Sequence, residues 1–201
     1  MNKNLKILKN PWLFIPTLYF AQGIPFILVN QLSTAMFKSL GASNTFIGLT
    51  SFLYIPWSIK FLWGPFVDGK STKRNWVLIM QIILGTLFAM NAVAIQIPVY
   101  LILTLILFTL IAFISATHDI AIDGFYLYAL DSKNQAFFVG IRSAFYRLAM
   151  IFAGGLLVSA AGILGKSLGN LKSGWTISFG ISAVVFVFLF IYHKIVLPYP
   201  Q

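Results

Sequence analysis

Long apolar runs alternate with short polar breaks along the chain and divide it into six stretches, residues 13–36, 46–66, 76–97, 99–130, 137–163 and 175–195. A bilayer core about 30 Å thick takes roughly 20 apolar residues of helix, so each stretch predicts one membrane-spanning helix. The fourth runs for about 32 residues, more than an untilted span requires. Its last third is expected to tilt or to project toward the cytoplasm. Turn residues mark the breaks at Gly41–Asn44, Asp68–Lys70, Ile97–Pro98 and Asp131–Asn134, and the longest connection is expected from Gly165 to Gly174. None has the character of a domain linker. The fold class is therefore all-α, a single six-helix transmembrane bundle.

Breakers and small residues fall unevenly on these spans. Pro16 and Pro25 lie in the first and Pro56 and Pro65 in the second, where each removes a backbone donor that neighbouring helices or water must make good. Ala149, Ala153, Gly154, Gly155, Ser159, Ala160 and Gly162 in the fifth allow close helix approach.

Composition removes the soluble alternative. Apolar residues make up 59% of the chain, charged residues 9%, and the mean hydropathy is +0.90, against roughly 25% charged in a soluble domain. The partner is a lipid bilayer. A net charge of +10 raises nucleic acid, but no basic stripe interleaved with aromatics tracks a phosphate backbone, so no nucleic acid is expected. The basic residues instead follow the positive-inside pattern. With the N-terminus inside, Lys3, Lys6, Lys9, Lys70, Lys73, Arg74, Lys133 and Lys194 lie on the inner side and Lys38, Lys166 and Lys172 on the outer. Both termini are thus expected in the cytoplasm, with the first apolar stretch a retained helix and not a signal peptide. The chain has no cysteine, which excludes disulfides and thiolate metal ligands. No cofactor or metal is implied.

A charge at the centre of a membrane is unfavourable by at least ~2.5–3.5 kcal/mol, so charges inside spans point to function. Lys60, Asp119, Asp123, Arg142 and Arg147 are such residues. Asp119 and Asp123 share one helix face. In an antiparallel hairpin of the fourth and fifth spans, Asp119 comes level with Arg147 and Asp123 with Arg142. The two arginines are five residues apart and cannot both face the aspartates, so one ion pair is expected and one Arg directed elsewhere. His118 is a titratable neighbour. Lys60 shares a face with Gly64 and Asp68, and Tyr19, Gln22, Gly23 and Asn30 form a weaker polar stripe. Two readings stay open: a salt-bridge network that fixes the hairpin, or groups that carry solute and protons.

At these residues the sequence resembles the major facilitator superfamily. Gly64-Pro-Phe-Val-Asp68 followed by Lys73-Arg74 is similar to the superfamily's signature between helices two and three, with Gly69 where an Arg is usual. Within it, three stretches resemble the AmpG-type muropeptide permeases: Lys60-Phe-Leu-Trp-Gly-Pro-Phe-Val-Asp68, Ser115-Ala-Thr-His-Asp119-Ile-Ala-Ile-Asp123, and Tyr146-Arg147-Leu followed by Gly154-Gly155. His118 stands where that family has Gln. The resemblance implies that residues 1–201 are one half of a twelve-helix carrier, built from two inverted three-helix repeats and needing a C-terminal half or a second chain. It implies proton-coupled import of muropeptides across the bacterial inner membrane by alternating access. Arg147, Arg142 and Lys60, with Tyr146 and Gln22, would hold the anionic solute. Asp119 and Asp123, with His118, would carry the proton, and Gly64, Asp68, Lys73 and Arg74 would form a gating loop. Other readings are an acetyl-coenzyme A-type or other anionic-solute transporter, a non-transporting membrane scaffold, and an intramembrane metal-dependent transferase. The last rests on Asp119-x-x-x-Asp123, which resembles the tail of the CDP-alcohol phosphotransferase motif without its upstream part. An enzyme is not expected.

Overall fold

The structure, a computed structural model, describes residues 10–199. Lys3, Lys6 and Lys9, which enter the charge-asymmetry argument, lie outside the described residues. Six helices are long and apolar enough to cross a membrane: α1 (Pro11–Ser39), α2 (Asn44–Leu62), α3 (Lys73–Ala94), α4 (Tyr100–Ala129), α5 (Ser132–Ser167) and α6 (Leu171–Val196). No strand occurs among the described residues. The predicted six-helix, all-α bundle is what forms.

Two boundaries differ from expectation for local reasons. The second span was expected to reach residue 66, and Asp68–Lys70 to be a turn. Instead α2 ends at Leu62, and a short helix, Gly64–Lys70, follows with Pro65 in its first turn, where proline's missing N–H is harmless. The turn shifts to Ser71 and Thr72, and the Thr72 hydroxyl caps α3 by accepting from the Asn75 amide at 3.2 Å. The long loop expected from Gly165 to Gly174 closes to residues 168–170, with Gly169 at φ +63°. Its glycines serve a helix crossing. A Cβ on Gly174 would lie 2.1 Å from the Ala161 carbonyl oxygen of α5, so glycine lets the two backbones touch. By contrast α4 is one unbroken 30-residue helix, about 45 Å long at 1.5 Å per residue.

Helices α1 and α5 each contain a wide π-helical turn, Leu28–Leu32 shortly after Pro25 and Ile151–Leu157 around Gly154 and Gly155. The two turns pack against each other. Helix α1 is the spine of the bundle: 72% of its apolar stretch is buried, against 22% for α2 and 28% for α5. It packs along both α4 and α5, while α3 packs on α4 and α6.

The apolar core comes in two pieces. One gathers around Phe37, Phe88, Phe108 and Phe186, the other around Phe14, Leu18, Ile122 and Phe125. Between them runs a layer of polar side chains supplied by every helix: Gln22 of α1, Lys60 of α2, Gln81 of α3, His118 and Asp119 of α4, Arg142 of α5 and His193 of α6.

Candidate functional site

The polar layer divides into three groups, set by which face of each helix carries it. The first lies on the open side of α1. Tyr19 stands between α4 and α5: its hydroxyl donates to Asp123 Oδ1 at 3.0 Å and accepts from Arg142 Nη1 at 3.2 Å. Arg142 also lies over the rings of Tyr19 and Tyr126, 5.2 and 5.1 Å from their centroids. Tyr126 is held in turn by donating to the Gln135 carbonyl oxygen. Arg142 and Asp123 approach to 4.0 Å with side chains 37% and 44% exposed. A pair that exposed contributes at most ~1 kcal/mol. Both groups therefore remain available to a further partner.

These residues open onto a cleft of about 430 Å³. Helix α1 contributes Tyr19 and Gln22, α4 contributes Asp123, and α5 contributes Arg142, Ser143, Tyr146, Arg147 and Met150. Arg147 is exposed and has no ion-pair partner among the described residues. Acyl chains cannot solvate two guanidinium groups and a carboxylate. The side of the molecule bearing the cleft must meet water or other protein.

The second group lies beside the cleft and not in its lining. Lys60 Nζ of α2 sits 3.5 Å from Asp119 Oδ2, with Asp119's side chain 10% exposed. Trp63, just beyond α2, donates from Nε1 to Thr117 Oγ1 at 3.1 Å, which pins the end of α2 to α4. Asp119 does not pair with Arg147, the arginine expected at its level: α1 packs between α4 and α5, and Asp119 meets Lys60 of α2 instead. Asp123 does meet Arg142, with Tyr19 between them. Arg142 is the arginine that pairs, Arg147 has no ion-pair partner among the described residues, and both line the cleft.

The third group faces the other way. His118 is fully buried on the α6 side of α4, with its ring 6.5 Å from that of Phe186. One residue along a helix is a rotation of about 100°, so His118 cannot share the Asp119 face, and it does not reach the cleft. A buried pair that the sequence did not mark lies on this side. His193 Nδ1 and Gln81 Nε2 are 2.8 Å apart, and His193 Nε2 is 3.0 Å from Thr17 Oγ1.

The segment expected to gate is only partly a loop. Gly64 opens the short helix, and Asp68 near its end pairs with Lys73 at the start of α3. The Lys73 stem covers Gly124 of α4, where a Cβ would sit 2.7 Å from Lys73 Cε. Arg74 leaves this group. It is buried within α3, donates from Nε to the Leu197 carbonyl at 3.2 Å and from Nη2 to the Lys194 carbonyl at 2.7 Å, and stacks 3.9 Å from the Tyr199 ring centroid. A cation on the last carbonyls of α6 is a helix C-terminal cap.

Of the residues expected to bind solute, the cleft brings together Arg142, Arg147, Tyr146 and Gln22, and Lys60 lies apart with Asp119. Ser143 and Met150 were not anticipated. Both lie on the helix face of Arg142, Tyr146 and Arg147, a signal that periodicity alone carries.

Comparison with known proteins finds distant relatives named as putative transporters. The chain is 24% identical over 194 residues to a Rickettsia conorii protein named "Putative transporter AmpG 4", covering 90% of this chain and 44% of the relative. It is 30% identical over 176 residues to "Putative transporter AmpG 3" of Rickettsia prowazekii, covering 83% and 37%. It is 28% identical over 150 residues to an uncharacterized protein of Haemophilus influenzae, covering 72% and 35%. The chain thus spans less than half the length of these curated relatives. No family model matches it. Six apolar helices together with transporter-named relatives support a multi-pass membrane protein of a transporter family.

Proposed function

We propose that the chain is the N-terminal half of a major-facilitator-type carrier that imports an anionic solute of the muropeptide class together with protons. The observation that carries this reading is the cleft beside α1, where Arg142 and Arg147 present guanidinium groups and Arg147 has no ion-pair partner among the described residues. Guanidinium groups bind carboxylates through paired N–H donors, and Tyr146 and Gln22 add neutral hydrogen-bonding groups. Asp123 and Asp119 are the proton-carrying candidates. Each already faces a cation, Arg142 and Lys60 respectively, so protonation of either would free that cation. Asp68 and Lys73 join α3 to the segment after α2 and would open and close with it.

The complementary half, or a second chain, would close the cleft by docking on the little-buried faces of α2 and α5. The excess of Lys and Arg on one side supports a cytoplasmic N-terminus, in this reading that of a bacterial inner-membrane protein. In the full-length carrier, Arg147→Ala is expected to reduce uptake of a radiolabelled anhydro-muropeptide at least tenfold with an unchanged amount of protein in the membrane. Arg147→Lys should fall between that variant and wild type. Normal uptake by Arg147→Ala would end this assignment. Inhibition by acetyl-coenzyme A and not by muropeptide would move the solute to the related acyl-carrier class.

A further inference from the structure

Of the three side chains that meet across α1, α4 and α5 in the cleft, only Tyr19 is buried. It is 4% exposed, and its ring packs edge-on against Tyr126 with centroids 5.8 Å apart. The side chains of Arg142 and Asp123 are far freer, at 37% and 44% exposed. A guanidinium can only donate, so Arg142 Nη1 gives a hydrogen to the Tyr19 oxygen at 3.2 Å. The single phenolic hydrogen then goes to Asp123 Oδ1 at 3.0 Å. Cation and anion are thus bonded to the same neutral oxygen and stand 4.0 Å apart. A direct guanidinium–carboxylate pair closes to about 2.7–2.9 Å and is often bidentate. The two charged groups are therefore close to collapsing on each other, and exposed enough to do so.

Arg142 is held by more than the hydroxyl. Its guanidinium carbon lies 5.2 and 5.1 Å from the ring centroids of Tyr19 and Tyr126, within reach of cation–π attraction. Tyr126 is itself buried and donates to the Gln135 carbonyl oxygen. One hydroxyl and two rings make a seat for Arg142 that does not use the carboxylate.

We propose that Tyr19 is a positioning residue that keeps Arg142 off Asp123 and so leaves the guanidinium open to the carboxylate of an anionic solute. The part that concerns solute rests on the reading of the cleft given above; the part that concerns Arg142 does not. Without the hydroxyl, Asp123 and solute compete for one guanidinium, and the resident carboxylate takes it.

The test is the rate at which phenylglyoxal, an arginine reagent, modifies Arg142 in the detergent-purified full-length protein, read residue by residue by mass spectrometry. Tyr19→Phe keeps the ring and removes only the hydroxyl. It is expected to slow modification of Arg142 about fivefold or more, because a direct pair with Asp123 forms. Tyr19→Phe/Asp123→Asn should return the rate to within about twofold of wild type, since the two positions act through one contact. Asp123→Asn with Tyr19 intact should change it little. A rate in Tyr19→Phe equal to or above wild type would overturn the proposal, and so would failure of Asp123→Asn to restore it. If Tyr19→Phe does not fold, Asp123→Asn alone decides: a severalfold faster rate would mean that the carboxylate already sequesters Arg142 in wild type, against the proposal. Binding of an anhydro-muropeptide to the same variants should weaken in Tyr19→Phe and recover in the double variant, and weakening without recovery would also overturn it. If wild type binds no muropeptide while the Arg142 rates follow the expected order, the solute reading fails and the role of Tyr19 toward Arg142 stands.

Discussion

Tyr19 and Lys60 show how single side chains make membrane-embedded charge tolerable in two different ways. Tyr19 places a neutral hydroxyl between Asp123 and Arg142, so the pair is ordered without being sealed. Lys60 meets Asp119 directly, and there the carboxylate is nearly buried. The consequences of cutting each should differ. Lys60→Met leaves an uncompensated buried carboxylate and is expected to lower stability by ~3 kcal/mol. The double variant Lys60→Met/Asp119→Leu should recover most of that, because no buried charge remains. Thermal unfolding in detergent of the two single variants and the double variant reads the coupling, and additive losses would mean that the pair does not interact. These partners were only half legible in the sequence. Charge in a span, the shared face of Asp119 and Asp123, and equal depth with the arginines can all be read from spacing. Which helix lies alongside which cannot, and the insertion of α1 between α4 and α5 redirected Asp119 to Lys60.

At the scale of helices, the sequence marks apolar length better than it marks ends. All six spans are legible because about 20 apolar residues have few other uses. The connection from Gly165 to Gly174 was not, because glycine favours both a loop and a close helix contact, and composition does not separate the two. The structure assigns the contact: a Cβ on Gly174 would meet backbone atoms of Ala161 and Gly165 at 2.1 and 2.7 Å. Gly174→Ala should therefore push α5 and α6 apart, at about 1–3 kcal/mol of stability. Gly180→Ala, on the same helix with nothing within 4 Å of the added Cβ, should be neutral or slightly stabilising, since alanine is the better helix former. Equal melting temperatures for the two variants would contradict the crossing.

For the whole molecule, the decisive property is asymmetry of exposure. α1 is enclosed, α2 and α5 are largely uncovered, and the side bearing the cleft carries exposed charge. That side must be wet or covered by protein. The chain has no cysteine, so a cysteine introduced into it is the single thiol of these six helices. Ser143→Cys, in the cleft, is expected to react with a charged, membrane-impermeant thiol reagent in opened or inverted vesicles. Val187→Cys, on the exposed apolar surface of α6, is expected to stay unlabelled. Equal labelling of the two would remove the aqueous cleft. The bundle was legible at this scale because hydropathy fixes it. The cleft was not, because its walls come from residues more than a hundred positions apart.

That separation has a consequence for how the protein is made. Tyr19 finds its partners 104 and 123 residues further along the chain, so α1 leaves the ribosome long before the helices that enclose it exist. Until α4 and α5 have been synthesised, Tyr19, Gln22, Pro16 and Pro25 of α1 wait in lipid or against the insertion machinery. A nascent chain arrested after α3 presents an unfinished helix of this kind to membrane quality control, and the commitment to a stable bundle comes only when translation has passed α5.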